Sequence, residues 1–149
     1  MISQLALRAA EHIHGHLGWL AVAALLHPAV LLRNPGRRAP LAVWLTTGFV
    51  SVAGLLGAAI YPEYRAQLKQ AIYIHTPAIG WLFERKEHLA VGAIAFAWIG
   101  CIAHVTASRF DDDERRTVAV MAHRAYVMSF VLTLIVAVLG VVVATHSTF

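Results

Sequence analysis

The sequence predicts an all-α integral membrane protein built as a four-helix bundle, and three observations predict it. Apolar residues make up 59% of the 149 positions and charged residues only 13%, with a mean hydropathy of +0.66. A soluble domain is about half apolar and about one quarter charged, so this composition cannot dress a water-soluble globule. Four apolar runs reach the length of about 20 residues that crosses a bilayer. Each is bounded by charged or Pro/Gly-rich sequence. Within lipid every backbone group must be satisfied inside its own segment, which makes the runs helices. The same figures exclude a disordered tail, a disulfide scaffold and a multi-domain enzyme, and leave one domain over residues 1–149.

The first span runs from about Ile13 to Leu32 and stops at Arg33-Asn34-Pro35-Gly36-Arg37-Arg38. Its flank carries Arg8 against Glu11, and it passes His27-Pro28 without a small-x-small exit, so it reads as a retained span rather than a cleaved signal. Pro28 removes a backbone donor and predicts a kink. The second span covers Leu41 to Ile60 and ends at Tyr61-Pro62-Glu63-Tyr64-Arg65. Residues 61–87 follow as an interfacial loop, in which Leu68, Ile72, Tyr73, Ile79, Trp81 and Phe83 alternate with charges around a break at Thr76-Pro77. The third span is expected over 89–108, before Arg109 and the acidic run Asp111 to Glu114, and the fourth over 118–145. Arg33, Arg37, Arg38, Arg109, Arg115 and Arg116 gather on one side, against Arg8, Arg65, Lys69, Arg85 and Lys86 on the other. By the positive-inside rule both termini face away from the cytoplasm. The formal charge of +4 is then an orientation signal, and no nucleic-acid partner is expected.

The two halves resemble each other. Glu11-His12 opens the first span and Glu87-His88 the third; His27 and His104 follow, and each half then reaches an Arg pair, Arg37-Arg38 or Arg115-Arg116. Two duplicated helical hairpins in the same orientation would give this pattern. Histidine is the repeated element, and nine histidines stand beside two lysines. An ionisable side chain in a membrane helix is costly and normally marks a site. At about 1.5 Å per residue, His12 and His27 lie about 22 Å apart along their helix and His88 and His104 about 24 Å, which defines one layer near each interface.

This layout resembles the small bacterial four-helix membrane cytochromes b of the cytochrome b561 type. The resemblance implies one or two b-type haems, each held by imidazoles from two helices, and electron transfer in a bacterial inner membrane. It also implies a quinol as donor or acceptor and further respiratory subunits or a homo-oligomer as partners. The second span carries no His, and the His spacings are longer than the family's. Helical phase separates His12 from His27 by about 60° and His88 from His104 by about 160°, so the four cannot all share one straight seam. The candidate inner ligands are therefore two among His27, His104 and His123, and the outer ones two among His12, His16 and His88. Arg124 is a candidate partner for a haem propionate, or a charge snorkelling to the interface. The aromatic segment with Tyr61, Tyr64, Tyr73 and His75 is the expected quinol region.

Two other readings compete. Glu11, His12, His14 and His16, with Glu63, Glu84, Glu87, His88 and His146 near the same face, could build a carboxylate-and-imidazole metal site. A non-catalytic subunit of a larger membrane complex could use its histidines for bonds between helices. The single Cys101 rules out an internal disulfide, and no Cys-x-x-Cys-His, phosphate loop, Gly-x-Ser-x-Gly or His-Glu-x-x-His occurs.

Overall fold

The computed structural model describes residues 4–146; the side chains of residues 4, 67, 68 and 146 lie outside that description, and with them the Leu68 and His146 side chains of the sequence reading. The described chain is helical apart from its connecting turns, in the order α1 (Gln4–Leu31), α2 (Pro40–Tyr64), a π-helical stretch (Arg65–Lys69), α3 (Gln70–His75), α4 (Pro77–Thr106), a 3₁₀ turn (Ala107–Arg109) and α5 (Asp112–His146). Four of these helices are long and apolar enough to cross a membrane. The all-α membrane bundle expected from composition is the fold found.

Local chemistry sets the boundaries. Asn34 folds the α1–α2 turn, its Oδ1 accepting from Gly36 N at 3.0 Å and its carbonyl from Arg37 N at 3.0 Å. Pro40 then starts α2 at its first position, where a missing N–H costs nothing. Thr76, held extended ahead of Pro77, ends α3, and its hydroxyl donates to the Ile72 carbonyl at 3.2 Å. Asp111 caps α5, its Oδ1 accepting from Glu114 N at 3.0 Å. The acidic run Asp112, Asp113, Glu114 lies in the first turn of α5, where it complements the helix dipole.

Each long helix packs against two others: α1 against α2 and α5, and α4 against α2 and α5. Helices α1 and α4 thus occupy one diagonal and α2 and α5 the other. The start of α1, the end of α5 and α3 lie at what we call the terminal end; the α1–α2 and α4–α5 turns lie at the turn end. The middle is filled by Leu25, Val43, Ala97, Cys101, Ala122 and Tyr126, all completely buried. Tyr126 Oη stands 2.7 Å from Thr47 Oγ1 and 3.2 Å from the Val43 carbonyl oxygen, and Thr47 reaches the Ala97 carbonyl at 3.4 Å. Gly100 lets the Tyr126 ring approach: a Cβ there would stand 2.7 Å from it.

The register between α4 and α5 fixes depth. Ser129 Oγ donates to the Ala93 carbonyl at 2.8 Å, Leu132 touches Gly92, and Val143 packs in one cluster with Phe83. Counting away from the turn, Lys86 and Glu87 come level with Ala137 and Val138. Helix α5 has no charged residue over 125–145, a stretch of about 30 Å that matches the hydrocarbon thickness. Helix α4 begins at Pro77, not near Leu89 as its apolar run suggests. The segment Glu84 to His88 is therefore part of a membrane-spanning helix, about 12 Å inside the end of the apolar stretch of α5.

Candidate functional site

At the level of Ala137, three helices bring ionisable side chains together. Helix α1 contributes Glu11 and His14, one turn apart on one face. Gly57 of α2 makes room for His14: a Cβ at Gly57 would lie 2.6 Å from His14 Cε1. The His14 ring lies beside the Ala53 backbone, and its Nδ1 is buried with no partner. Glu11 Oε1 is likewise buried and unpartnered. Helix α4 contributes Lys86, which stands in electrostatic reach of Glu11, Glu87 and His14 and lies over the Phe83 ring at 4.8 Å from its centre. Glu87 lies beside the Tyr61 hydroxyl at the end of α2.

The segment between α2 and α4 closes this cluster on the terminal side. The π-helical stretch carries Lys69 inward, so that its Nζ stands 2.8 Å from Glu84 Oε1 and 3.5 Å from the Tyr61 hydroxyl. Single π-helical turns are uncommon and recur at functional positions. The Glu84 carboxylate holds the Lys69 ammonium above its ordinary pKa, and burial raises that of the Tyr73 phenol, which lies beside Glu84. Tyr73 sits on Gly80, where a Cβ would stand 2.9 Å from its ring. Tyr64 stacks on Phe83 at 4.7 Å and Tyr61 at 6.3 Å, forming an apolar wall beside the charges.

The histidines singled out by sequence occupy the expected two levels. The Ala24–Thr46 and Val43–Tyr126 contacts place His27 within about a turn of His123, with His104 close by; His12, His16 and His88 lie at the terminal level. Their side chains do not converge. His12, His16, His27 and His88 are exposed on the flanks of the bundle, as is Arg124. His88 Nδ1 stands 2.8 Å from the Glu84 carbonyl oxygen of its own helix. His104 is half-buried, and its Nε2 accepts a 3.2 Å hydrogen bond from Ala39 N, pinning the α1–α2 turn. His123 is half-buried with its Nδ1 unpartnered.

Fit to a haem between the helices can be judged from the packing at the inner level. Tyr126, Leu25, Val43 and Cys101 fill that space completely, and the cradle at Gly100 is taken by the Tyr126 ring. The residues present do not fit a macrocycle in the bundle interior. Among the described residues no three His, Cys, Asp or Glu side chains form a group that could hold a metal ion. Of the expected quinol region, Tyr61, Tyr64 and Tyr73 line the cluster, whereas His75 is exposed at the end of α3.

Sequence reading alone assigned Lys69 and Lys86 only to orientation. A signal was available: a tight α4–α5 turn and an apolar run through residue 145 force the partner helix to extend back past Glu84. Comparison of the chain with protein-family models, with curated proteins and with solved structures finds no match.

Proposed function

We propose that this chain is a multi-pass membrane protein that binds a lipid-soluble molecule of the quinol class at the terminal-end cluster, through hydrogen bonds from the quinol hydroxyls. One observation carries the reading: Glu11, His14, Lys86 and Glu87 meet at a depth where α5 is apolar, and two of their acceptor atoms are left without partners. Buried ionisable groups inside a membrane are expensive and mark a pathway or a site. His14 Nδ1 and Glu11 Oε1 are the unpartnered atoms, and an unprotonated ring nitrogen and a carboxylate oxygen both accept hydrogen bonds. A quinol offers two hydroxyl donors. Its ring would lie against the Tyr64–Phe83 wall, and its hydroxyls would donate hydrogen bonds to His14 Nδ1 and Glu11 Oε1, with Lys86 stabilising the Glu11 carboxylate. The arginines of the turn end orient that end to the cytoplasm, which sets the cluster in the outer leaflet of a cell membrane.

The test is titration of the purified protein in nanodiscs with a short-chain quinol analogue. Saturable binding that is lost in both Glu11→Gln and His14→Ala supports the reading. Binding that is absent, or unchanged in both variants, overturns it.

A second reading, electron transfer through haem b as the resemblance implies, has the shared level of His27, His104 and His123 and the unpartnered His123 Nδ1 in its favour. His27 and His123 would then hold a haem on the flank of the bundle, not inside it, with Arg124 near a propionate. A reduced-minus-oxidised spectrum decides. A b-type α band that is lost in His27→Ala and His123→Ala supports it, and the absence of a Soret band ends it.

A further inference from the structure

Helix α1 carries imidazoles on two opposite faces at one level, and the terminal-end cluster uses only the inner face. We propose that His12 and His16, on the outer face, form one half of a transition-metal site, completed by the same two residues of a second copy of this chain, so that four imidazoles hold one divalent ion such as Zn²⁺ between two bundles.

Position singles the pair out. At about 100° per residue, His12 and His16 lie within about 40° of each other and each about 160° from His14. Both are exposed, whereas His14 is half-buried. Along the axis they stand about 3 Å on either side of His14, beside the apolar part of α5. Their face continues through Trp19, 45% exposed, and Val30, 60% exposed, while α2 and α5 pack on the other side of the helix. Apolar side chains on such a face need no cover in lipid. Imidazoles do, because a ring nitrogen left without a partner there costs free energy.

Coordination chemistry indicates the cover. Two histidines four positions apart on one helical face are spaced to bind a single ion, and a closed zinc site takes four ligands in a tetrahedron. One chain supplies two, and among the described residues no group of three His, Cys, Asp or Glu side chains could hold the ion alone. A twofold axis along the membrane normal keeps every residue at its own depth, so it brings the pair of one copy level with the pair of the other and supplies the two missing nitrogens. A second copy is the partner that necessarily carries a matching pair at that depth.

Gly15 permits the close approach that short metal–nitrogen bonds require. It is exposed about 60° around the helix from His12, and a Cβ there would meet nothing within 4 Å. Packing inside the bundle therefore gives no reason for a glycine that costs a helix about 1 kcal/mol relative to alanine, whereas contact between the backbones of two copies does. Glu11, in electrostatic reach of His12, adds negative charge near the ion in each copy.

The experiment titrates the tag-free full chain, stripped with chelator in mild detergent, with Zn²⁺, following binding by calorimetry and assembly by native mass spectrometry. Saturation at one ion per two chains, a dimer that forms only with the ion, and a tetrahedral spectrum on Co²⁺ substitution support the proposal. His12→Ala and His16→Ala each remove two of the four ligands, and should weaken binding by about a hundredfold and leave monomers. His88→Ala, exposed at the same end on α4, should bind as wild type does. Gly15→Leu should keep wild-type helicity by circular dichroism and lose the dimer. Because it retains both imidazoles, its result stands even if a histidine variant fails to fold. Saturation at one ion per chain without a dimer overturns the two-copy assignment, and a metal-bound dimer that persists in Gly15→Leu overturns the contact along α1. Binding that is absent, or unchanged in both histidine variants, overturns the site altogether.

Discussion

Two layers of the same bundle bury polar groups and treat them in opposite ways. In the middle, Tyr126, Thr47 and Ser129 are uncharged, completely buried, and each finds a carbonyl on another helix. At the terminal end, Glu11, His14, Lys86 and Glu87 are ionisable, and two of their atoms find nothing. Hydroxyl-to-carbonyl bonds of the first kind hold membrane helices together at modest gain, about 0.6 kcal/mol each in measured cases. Charges of the second kind cost free energy to bury, and stability alone would favour an apolar replacement. The difference separates a layer that makes the fold from a layer retained for what it binds.

The sharpest way to break this comparison is to remove one charge from the terminal layer. Lys86→Met leaves Glu11 and Glu87 without their cation and is expected to destabilise by about 3 kcal/mol, the scale for a broken buried pair, measured by unfolding in mixed micelles. Adding Glu11→Gln should recover part of that loss while ligand binding stays abolished. If the double variant is no more stable than Lys86→Met, the two groups do not interact and the cluster is not a unit. In the middle layer the expectation reverses. Gly100→Ala drives a methyl group to 2.7 Å from the Tyr126 ring and 3.2 Å from the Ala122 carbonyl oxygen, and should cost about 2 kcal/mol by overpacking. Its binding of a quinol analogue should match wild type. A Gly100→Ala protein that folds normally but no longer binds would dissolve the division between the layers.

Gly57→Ala probes the terminal layer by shape rather than charge. The added methyl group would meet the His14 ring at 2.6 Å, so the imidazole must leave its place. Stability should fall by about 1 kcal/mol, and quinol binding by at least tenfold, because one acceptor is misplaced. In the Gly57→Ala/His14→Ala double variant the stability loss should disappear, since the clash is gone, whereas binding should not return. A double variant as unstable as Gly57→Ala would mean that the methyl group strains something other than His14.

Composition and apolar run length made the fold legible, because lipid leaves the backbone few choices. The depth of two histidines was legible as well: His27 and His123 lie within about a turn of each other. Direction was not. Whether His27 faces a partner helix or lipid depends on which stripe of α1 packs against α2 and α5, and an almost uniformly apolar helix has no polar face to reveal it. The start of α4 was hidden for a related reason. Glu84, Arg85, Lys86, Glu87 and His88 read as an extramembrane segment because charge is normally excluded from lipid. Here, however, Lys86 stands in electrostatic reach of Glu11 and Glu87, and Lys69 pairs with Glu84, so the segment remains helical beside the apolar part of α5. Neutralisation by tertiary partners is invisible in a one-dimensional hydropathy profile. It becomes visible only when the helices are aligned outward from their turns.

The smallest expected effect concerns the cover over the cluster. Lys69 ties the π-helical stretch to Glu84, with Tyr61, Tyr73 and Glu87 as its other titratable neighbours. Because Glu84 raises the Lys69 pKa above its ordinary 10.5, the folded state binds that proton more tightly than the unfolded chain does. The contribution of the pair is therefore complete below pH 10.5 and is lost only as pH rises through the higher folded value. Between pH 6 and 9 the cover should show no pH dependence from this source. Trp81, edge-on to Tyr73 at 6.3 Å, reports on α3 by its fluorescence. Wild type should show a constant Trp81 signal across that range and a change above it, whereas Lys69→Met should already sit at the altered signal at neutral pH and respond less to alkali. Tyr73 titrates late because burial raises its own pKa, so an alkaline change that persists in full in Lys69→Met would belong to the phenol and not to the ammonium. In that case the terminal layer is covered by aromatic packing on Gly80 alone, and its charges serve only what lies beneath them.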